Sequence, residues 1–129
     1  MTSAVQIELP SRPCFNAIGR LVTGGYASRL ELPVDRIEDL QLAVEALLCR
    51  STSDGALIVR MCECERGLDV TLGPFARAPQ ERRSIERMLH ALVEDVLVED
   101  SDDGEWVVMR VTREQPAQAR SQGGRWTET

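Results

Sequence analysis

Apolar and polar residues alternate in Val5-Gln6-Ile7-Glu8-Leu9, a period of two that predicts a half-buried strand ended by Pro10. The period then lengthens. Phe15, Ile18, Val22 and Tyr26 recur at three and four, which predicts an amphipathic helix with Ser11 as its cap and Pro13 near its first turn. Gly24-Gly25 is expected to weaken the last turn of that helix. The strongest helical signal lies in "PVDRIEDLQLAVEALLCRS", where Ile37, Leu40, Val44, Leu47 and Leu48 form one stripe and Asp35 and Glu38 are spaced as a capping box. "STSDG" breaks it.

Period two returns in "ALIVRMCEC" and "LDVTL", a hairpin joined by "ERG" that sets Leu57, Val59 and Met61 on one face with Leu68, Val70 and Leu72. "GPFARAPQERR" reads as a polar connection opening at Gly73-Pro74. A third helix begins near Pro79, with Ile85, Met88, Leu89 and Leu92 as its apolar positions. "DVLVE" and "EWVVMRV" form a second hairpin around "DSDDG", with Asp103-Gly104 as the turn signal. The element order β-α-α-β-β-α-β-β predicts an α+β fold. It is a two-layer sandwich of a mixed or antiparallel five-stranded sheet with three helices on one face.

The domain spans residues 1–112; residues 113–129 form a polar, Gly- and Pro-containing tail expected to be disordered. The outer sheet face carries mostly polar residues (Gln6, Glu8, Arg60, Asp69, Thr71, Arg110). Ile58, Cys62, Cys64, Trp106 and Val108 fall on it too, so Ile58, Trp106 and Val108 mark a candidate partner-binding patch.

Composition narrows the function. With 129 residues the chain has the length of one domain, and no apolar run approaches the roughly 20 residues of a membrane span. The N-terminus has no basic segment followed by an apolar core, so a cytoplasmic location is expected. A net charge of −6 disfavours nucleic acid and anionic membrane as partners. The four cysteines have no framework spacing and fit a reducing compartment.

The element order, "IEDLQLAVEALL", the strand pair after it and the ending "RMLHALVEDVLVEDSDDGEWVVMRV" resemble the bacterial anti-sigma factors of the serine-protein kinase type. These carry a histidine-kinase-like ATPase domain of the GHKL superfamily and work in partner-switching circuits. The resemblance runs from about Val5 to Thr112. It implies a GHKL-like fold, a sigma factor and a STAS-type anti-anti-sigma protein as partners, homodimerisation, and a nucleotide site built from three boxes.

In the family the first box is a helix bearing Glu and, four residues on, a Mg²⁺-coordinating Asn. Those positions here are Ala46 and Arg50, while Glu45 lies one residue early, about 100° around the helix, with Cys49 as its own i+4 partner. Arg50 suits a phosphate but repels Mg²⁺, which takes oxygen ligands. The second box, Asp-x-Gly-x-Gly, is reduced to Gly73 with no Asp, and Pro74 removes a backbone donor. The third, a glycine-rich lid, corresponds to "APQERRSIERM", which contains no glycine and so lacks the backbone freedom of that lid.

The expectation is a non-catalytic, anti-sigma-like regulator with a degenerate nucleotide site: a pseudokinase with no cofactor and no metal. One alternative is an active ATP- and Mg²⁺-dependent serine kinase using Glu45 and Arg50; another is a small-molecule sensor reusing the old pocket. The remaining chemistry-bearing residues have plainer readings. Cys62 and Cys64 sit on one strand face without the tight turn and second ligand pair of a zinc site. His90, the single histidine, falls away from the apolar stripe of its helix, and "EDSDDGE" lacks the order of a calcium loop. "QERRSIER" is a short basic patch able to receive an acidic segment.

Overall fold

Each period-two segment forms a strand, and the three helical periods form helices. The structure, a computed structural model, describes residues 4–113. Beyond Arg113, the tail expected to be disordered lies outside the described residues. The elements are β1 (Ala4–Pro10), a 3-10 turn (Pro13–Phe15), α1 (Asn16–Arg29), α2 (Val34–Leu48), β2 (Ala56–Cys64), β3 (Gly67–Phe75), α3 (Pro79–His90), β4 (Asp95–Ser101) and β5 (Gly104–Thr112).

The five strands form one sheet in the order β1-β2-β3-β5-β4, with every neighbouring pair antiparallel. Of the mixed and antiparallel sheets expected, the antiparallel one is formed. Alternation along the strands puts Leu57, Val59, Met61, Leu68, Val70, Leu72, Val107, Met109 and Val111 on the buried face. They join Leu40, Val44, Leu47, Ala27 and Leu89 of the helices in one apolar cluster. The opposite face keeps Gln6, Glu8, Arg60 and Arg110 exposed, as the pattern predicts. Among the described residues no helix is long and apolar enough to cross a membrane.

Helix starts differ from the expectation. Ser11 caps nothing: its N–H donates to Gly55 O at 3.0 Å, the 3-10 turn intervenes, and α1 begins at Asn16 without a side-chain cap. The Asp35–Glu38 capping box does not form either. Pro33 holds the cap position of α2, so Asp35 already lies in the first turn, where its carboxylate accepts from Arg36 N and favours the helix dipole.

α1 runs through Gly24-Gly25 without breaking, because the buried side of α1 is made of small residues: Gly19, Thr23, Gly24 and Ala27. A Cβ at Gly24 would lie 2.2 Å from Gln41 Nε2, and that amide reaches across to Arg20 O at 3.0 Å. The two helices approach closely at the cost of the expected stripe. Phe15, Val22 and Tyr26 stay against the core, whereas Ile18 turns outward. On α3, Leu89 is buried and Ile85 half-buried, but Met88 is exposed.

The largest departure is at the end of β3. Gly73, Pro74 and Phe75 belong to the strand rather than to a polar connection, and all three are buried. Phe75 pairs with Glu105 of β5 after a register shift beyond Leu72, and bridges Thr52 on its other side. A core aromatic inside a Gly-Pro-containing stretch is what the local signal concealed.

Candidate functional site

β5 alternates inward at Val111, Met109 and Val107, and the next inward position is Glu105. Its carboxylate is therefore carried into the core end of the sheet, where the residue is 1% exposed. An isolated buried carboxylate is costly, and the surrounding elements supply two guanidinium groups. Arg50, two residues past α2, donates from Nη2 to Glu105 Oε1 at 3.2 Å; Arg82, on the first half of α3, donates from Nη2 to Oε2 at 2.8 Å.

Each oxygen of the carboxylate thus has its own arginine. Arg82 also reaches Asp100 Oδ1 of β4 at 2.9 Å, and the Arg50 guanidinium lies over the Phe75 ring, 4.6 Å from its centroid. Two cations and two anions leave the cluster formally neutral. The Arg82 guanidinium is held above its ordinary range, chiefly by the hydrogen bond to Glu105, against the opposing effect of burial and with help from the charges of Asp100 and Glu105. Its buried Nε finds no acceptor among the described residues.

The backbone around the cluster is equally specific. Gly104 has φ 138°, and a Cβ there would lie 2.4 Å from Phe75 O, so this turn needs glycine. Arg77 donates to Ser101 O, and Ser53 Oγ donates to Asp103 O at 2.6 Å, so the β4–β5 turn is tied to the connections after α2 and β3.

The segments matched to the three nucleotide boxes converge here. Arg50 stands for the first, Gly73, Pro74 and Phe75 for the second, and the α3 start with Arg82 for the third. Ala46, one turn before Arg50, is half-buried. Where the resemblance implies the Mg²⁺-coordinating Asn, this chain places the Arg50 guanidinium, which repels a divalent cation.

Glu45 is not part of this site. It faces α1, where its carboxylate lies 3.5 Å from Arg20 Nη1. The structure therefore does not bring Glu45 and Arg50 together: one is engaged with α1, the other with the sheet. Cys62 Sγ contacts its neighbour's carbonyl and Cys64 Sγ lies 3.8 Å from Asp69 Oδ1, while His90 is exposed at the far end of α3. Cys14 and Cys49 are free and exposed.

Ile58, Trp106 and Val108 reach the same outer sheet face, each half-buried. Ile58 pairs with Gly73, Trp106 covers Gly73, and Val108 stands between Thr71 and Leu97. Trp106 is pinned, its indole N–H donating to Asp103 Oδ1 at 2.9 Å.

Glu105 and Arg82 went unnoticed as site residues on sequence. The signal for Glu105 was present: it continues the inward phase of Val107, Met109 and Val111, and an acidic residue in that phase demands a partner. Arg82 had no such signal, since "QERRSIER" offers three arginines with nothing to select among them.

No family model matches this chain, and no curated protein matches it either.

Proposed function

We propose that this protein is a non-catalytic regulator of the anti-sigma type, binding a sigma factor, a STAS-type anti-anti-sigma protein, or both, without nucleotide chemistry. The observation that carries this reading is the Arg50–Glu105–Arg82 cluster. It stands at the convergence of the three segments that, in the family the sequence resembles, hold ATP and Mg²⁺. Phosphoryl transfer needs a base, a metal and a positioned γ-phosphate together. Here the carboxylate is committed to two arginines, and Glu45 lies against the other helix.

A kinase would need Glu45 and Arg50 to act on one substrate, which their separate partners oppose. A sensor would need groups at the cluster that are available to a ligand, and both guanidinium groups are committed to the Glu105 carboxylate. Binding energy in a regulator comes instead from a surface with an apolar centre and polar rim, as Ile58, Trp106 and Val108 provide on the sheet.

The test is calorimetric titration with millimolar ATP and Mg²⁺, beside labelled phosphate transfer to a co-purified partner. The expected result is no saturable heat, no thermal shift and no transfer. Micromolar ATP binding, or transfer lost in Glu45→Ala, overturns the reading.

A further inference from the structure

Six large apolar side chains are exposed among the described residues, and four of them stand on one helix pair: Ile18 at 43%, Leu21 at 70%, Val34 at 71% and Leu42 at 54%. Val34, Glu38 and Leu42 recur at four along α2, so a carboxylate stands between two aliphatic side chains. Leu21 and Leu42 line an open groove of about 430 Å³ together with Arg20, Glu38 and Gln41. Two of its polar side chains are already engaged. Arg20 lies 3.5 Å from Glu45, and Gln41 Nε2 donates to Arg20 O at 3.0 Å. The ion pairs among the described residues leave Glu38 out, so its carboxylate is the charge of the groove that remains to be met.

The chain's own continuation starts beside this face. Arg113, the last described residue, is fastened at the α1–α2 connection: its Nε donates to Leu30 O at 2.9 Å and its Nη2 to Glu63 Oε2 at 3.0 Å. Leu30 closes α1 nine residues past Leu21, which puts the groove roughly 15 Å from that anchor along the helix. Residues 114–129 contain one large apolar residue, Trp126, thirteen positions past Arg113 and directly preceded by Arg125. A linker of thirteen residues has a root-mean-square span of roughly 20 Å, which suits that distance.

We infer that the C-terminal segment docks on the α1–α2 groove of its own chain, with Trp126 against Leu21 and Leu42 and Arg125 at Glu38. The chemistry of the two sides is complementary: an aliphatic cleft with one unmet anion receives an aromatic side chain with an adjacent cation. Tryptophan brings the largest apolar area of any side chain, and its two side-chain torsions keep the ordering cost low. Tethering supplies the rest. A short linker whose span matches its site raises the local concentration of the segment to the millimolar range, so a contact of submillimolar affinity is mostly formed within one chain. The docked segment is a cover. It withholds the α1–α2 face from other partners while the sheet face, on the opposite layer, stays available.

Nuclear magnetic resonance of the full chain tests this, independently of any nucleotide or sigma-factor result. The Trp126 indole, assigned by its loss in Trp126→Phe, should show Overhauser contacts to the methyl groups of Leu21 and Leu42, with intensities unchanged on dilution. A second measurement uses a labelled peptide of residues 114–129. It should bind the full chain carrying Trp126→Ala, and bind wild type at least about threefold more weakly, because there the groove is filled from within. Adding Leu21→Glu or Leu42→Glu to Trp126→Ala should weaken peptide binding at least about tenfold with thermal unfolding unchanged, since both leucines are exposed. Glu38→Arg should weaken it about threefold, and a peptide carrying Arg125→Glu should restore it. Absent Overhauser contacts, contacts that fade on dilution (a segment crossing to a second copy), or peptide binding indifferent to both leucine variants each overturn the inference.

Discussion

The cluster around Glu105 and the outer face of α1 and α2 reverse the usual partition of side chains in opposite directions. In the first, a carboxylate and parts of two guanidinium groups are withdrawn from water at the end of the sheet. In the second, leucine, isoleucine and valine are left in it. Neither departure is explained by local propensity. A buried ion cluster is weak as a source of stability, because the desolvation of each charge offsets much of the attraction. An exposed aliphatic patch adds nothing to the monomer. The buried cluster costs the chain freedom and holds α2, α3 and β5 in one arrangement; the exposed face costs solubility and retains value only if something covers it.

The sharpest test sets an uncompensated charge beside the compensated one. Met109→Asp places a carboxylate on the same inward face as Glu105, two pairs of residues along β5, with no arginine to meet it. It should cost more than about 5 kcal/mol and abolish cooperative unfolding, whereas Val108→Asp on the outer face should cost about 1 kcal/mol. Circular dichroism during thermal melting distinguishes them, and equal damage would mean that the strand faces are wrongly assigned.

Glu105→Ala comes next. Leaving Arg50 and Arg82 without their shared carboxylate should cost about 3–5 kcal/mol and lower Tm by roughly 10–20 °C. If Tm moves by only a degree or two, the arginines have other partners and the cluster is not a unit. The converse replacement removes all the charge at once. Arg50→Leu, Arg82→Met and Glu105→Leu together should unfold in urea within about 1 kcal/mol of wild type, or above it, as apolar substitutes for buried ion pairs often do. A triple variant as weak as Glu105→Ala would mean that the guanidinium stack on Phe75 carries the stability instead.

The smallest effect is expected at the rim. Asp100 is well exposed and its carboxylate pairs with Arg82 among the described residues, so Asp100→Ala should change the urea midpoint by an amount worth no more than about 0.5 kcal/mol. A larger loss would show the ion network extending to the surface of β4.

Much of this architecture was legible from period alone. The alternation in β1, β2 and β5 and the stripe of α2 name the core nearly residue by residue, because burial on one face leaves a chemical trace at every second or every third and fourth position. Boundaries set by caps were not legible. Ser11 and Asp35 have the right chemistry for capping, but Pro33 and the 3-10 turn took those positions.

Side-chain period also misled on α1. There Gly19, Gly24 and Ala27 face inward because close helix approach favours small residues, and the larger Ile18 was pushed out to the surface. The patch it shares with Leu21 could not be read from a pattern that assumes apolar means buried.

The sequence by itself determined the strand and helix order, the inward face of the sheet, and the absence of the acidic and glycine residues that the resembling family uses for nucleotide. Only the tertiary structure decided what stands in their place. Arg50, Phe75, Arg82 and Glu105 are spread over more than fifty positions, and no local period links them. The antiparallel sheet carries the start of β5 beside the end of β3, and the turn after α2 and the first half of α3 each deliver an arginine to that corner. Burial there selects the partners, since a carboxylate removed from water must find cations wherever in the chain they come from.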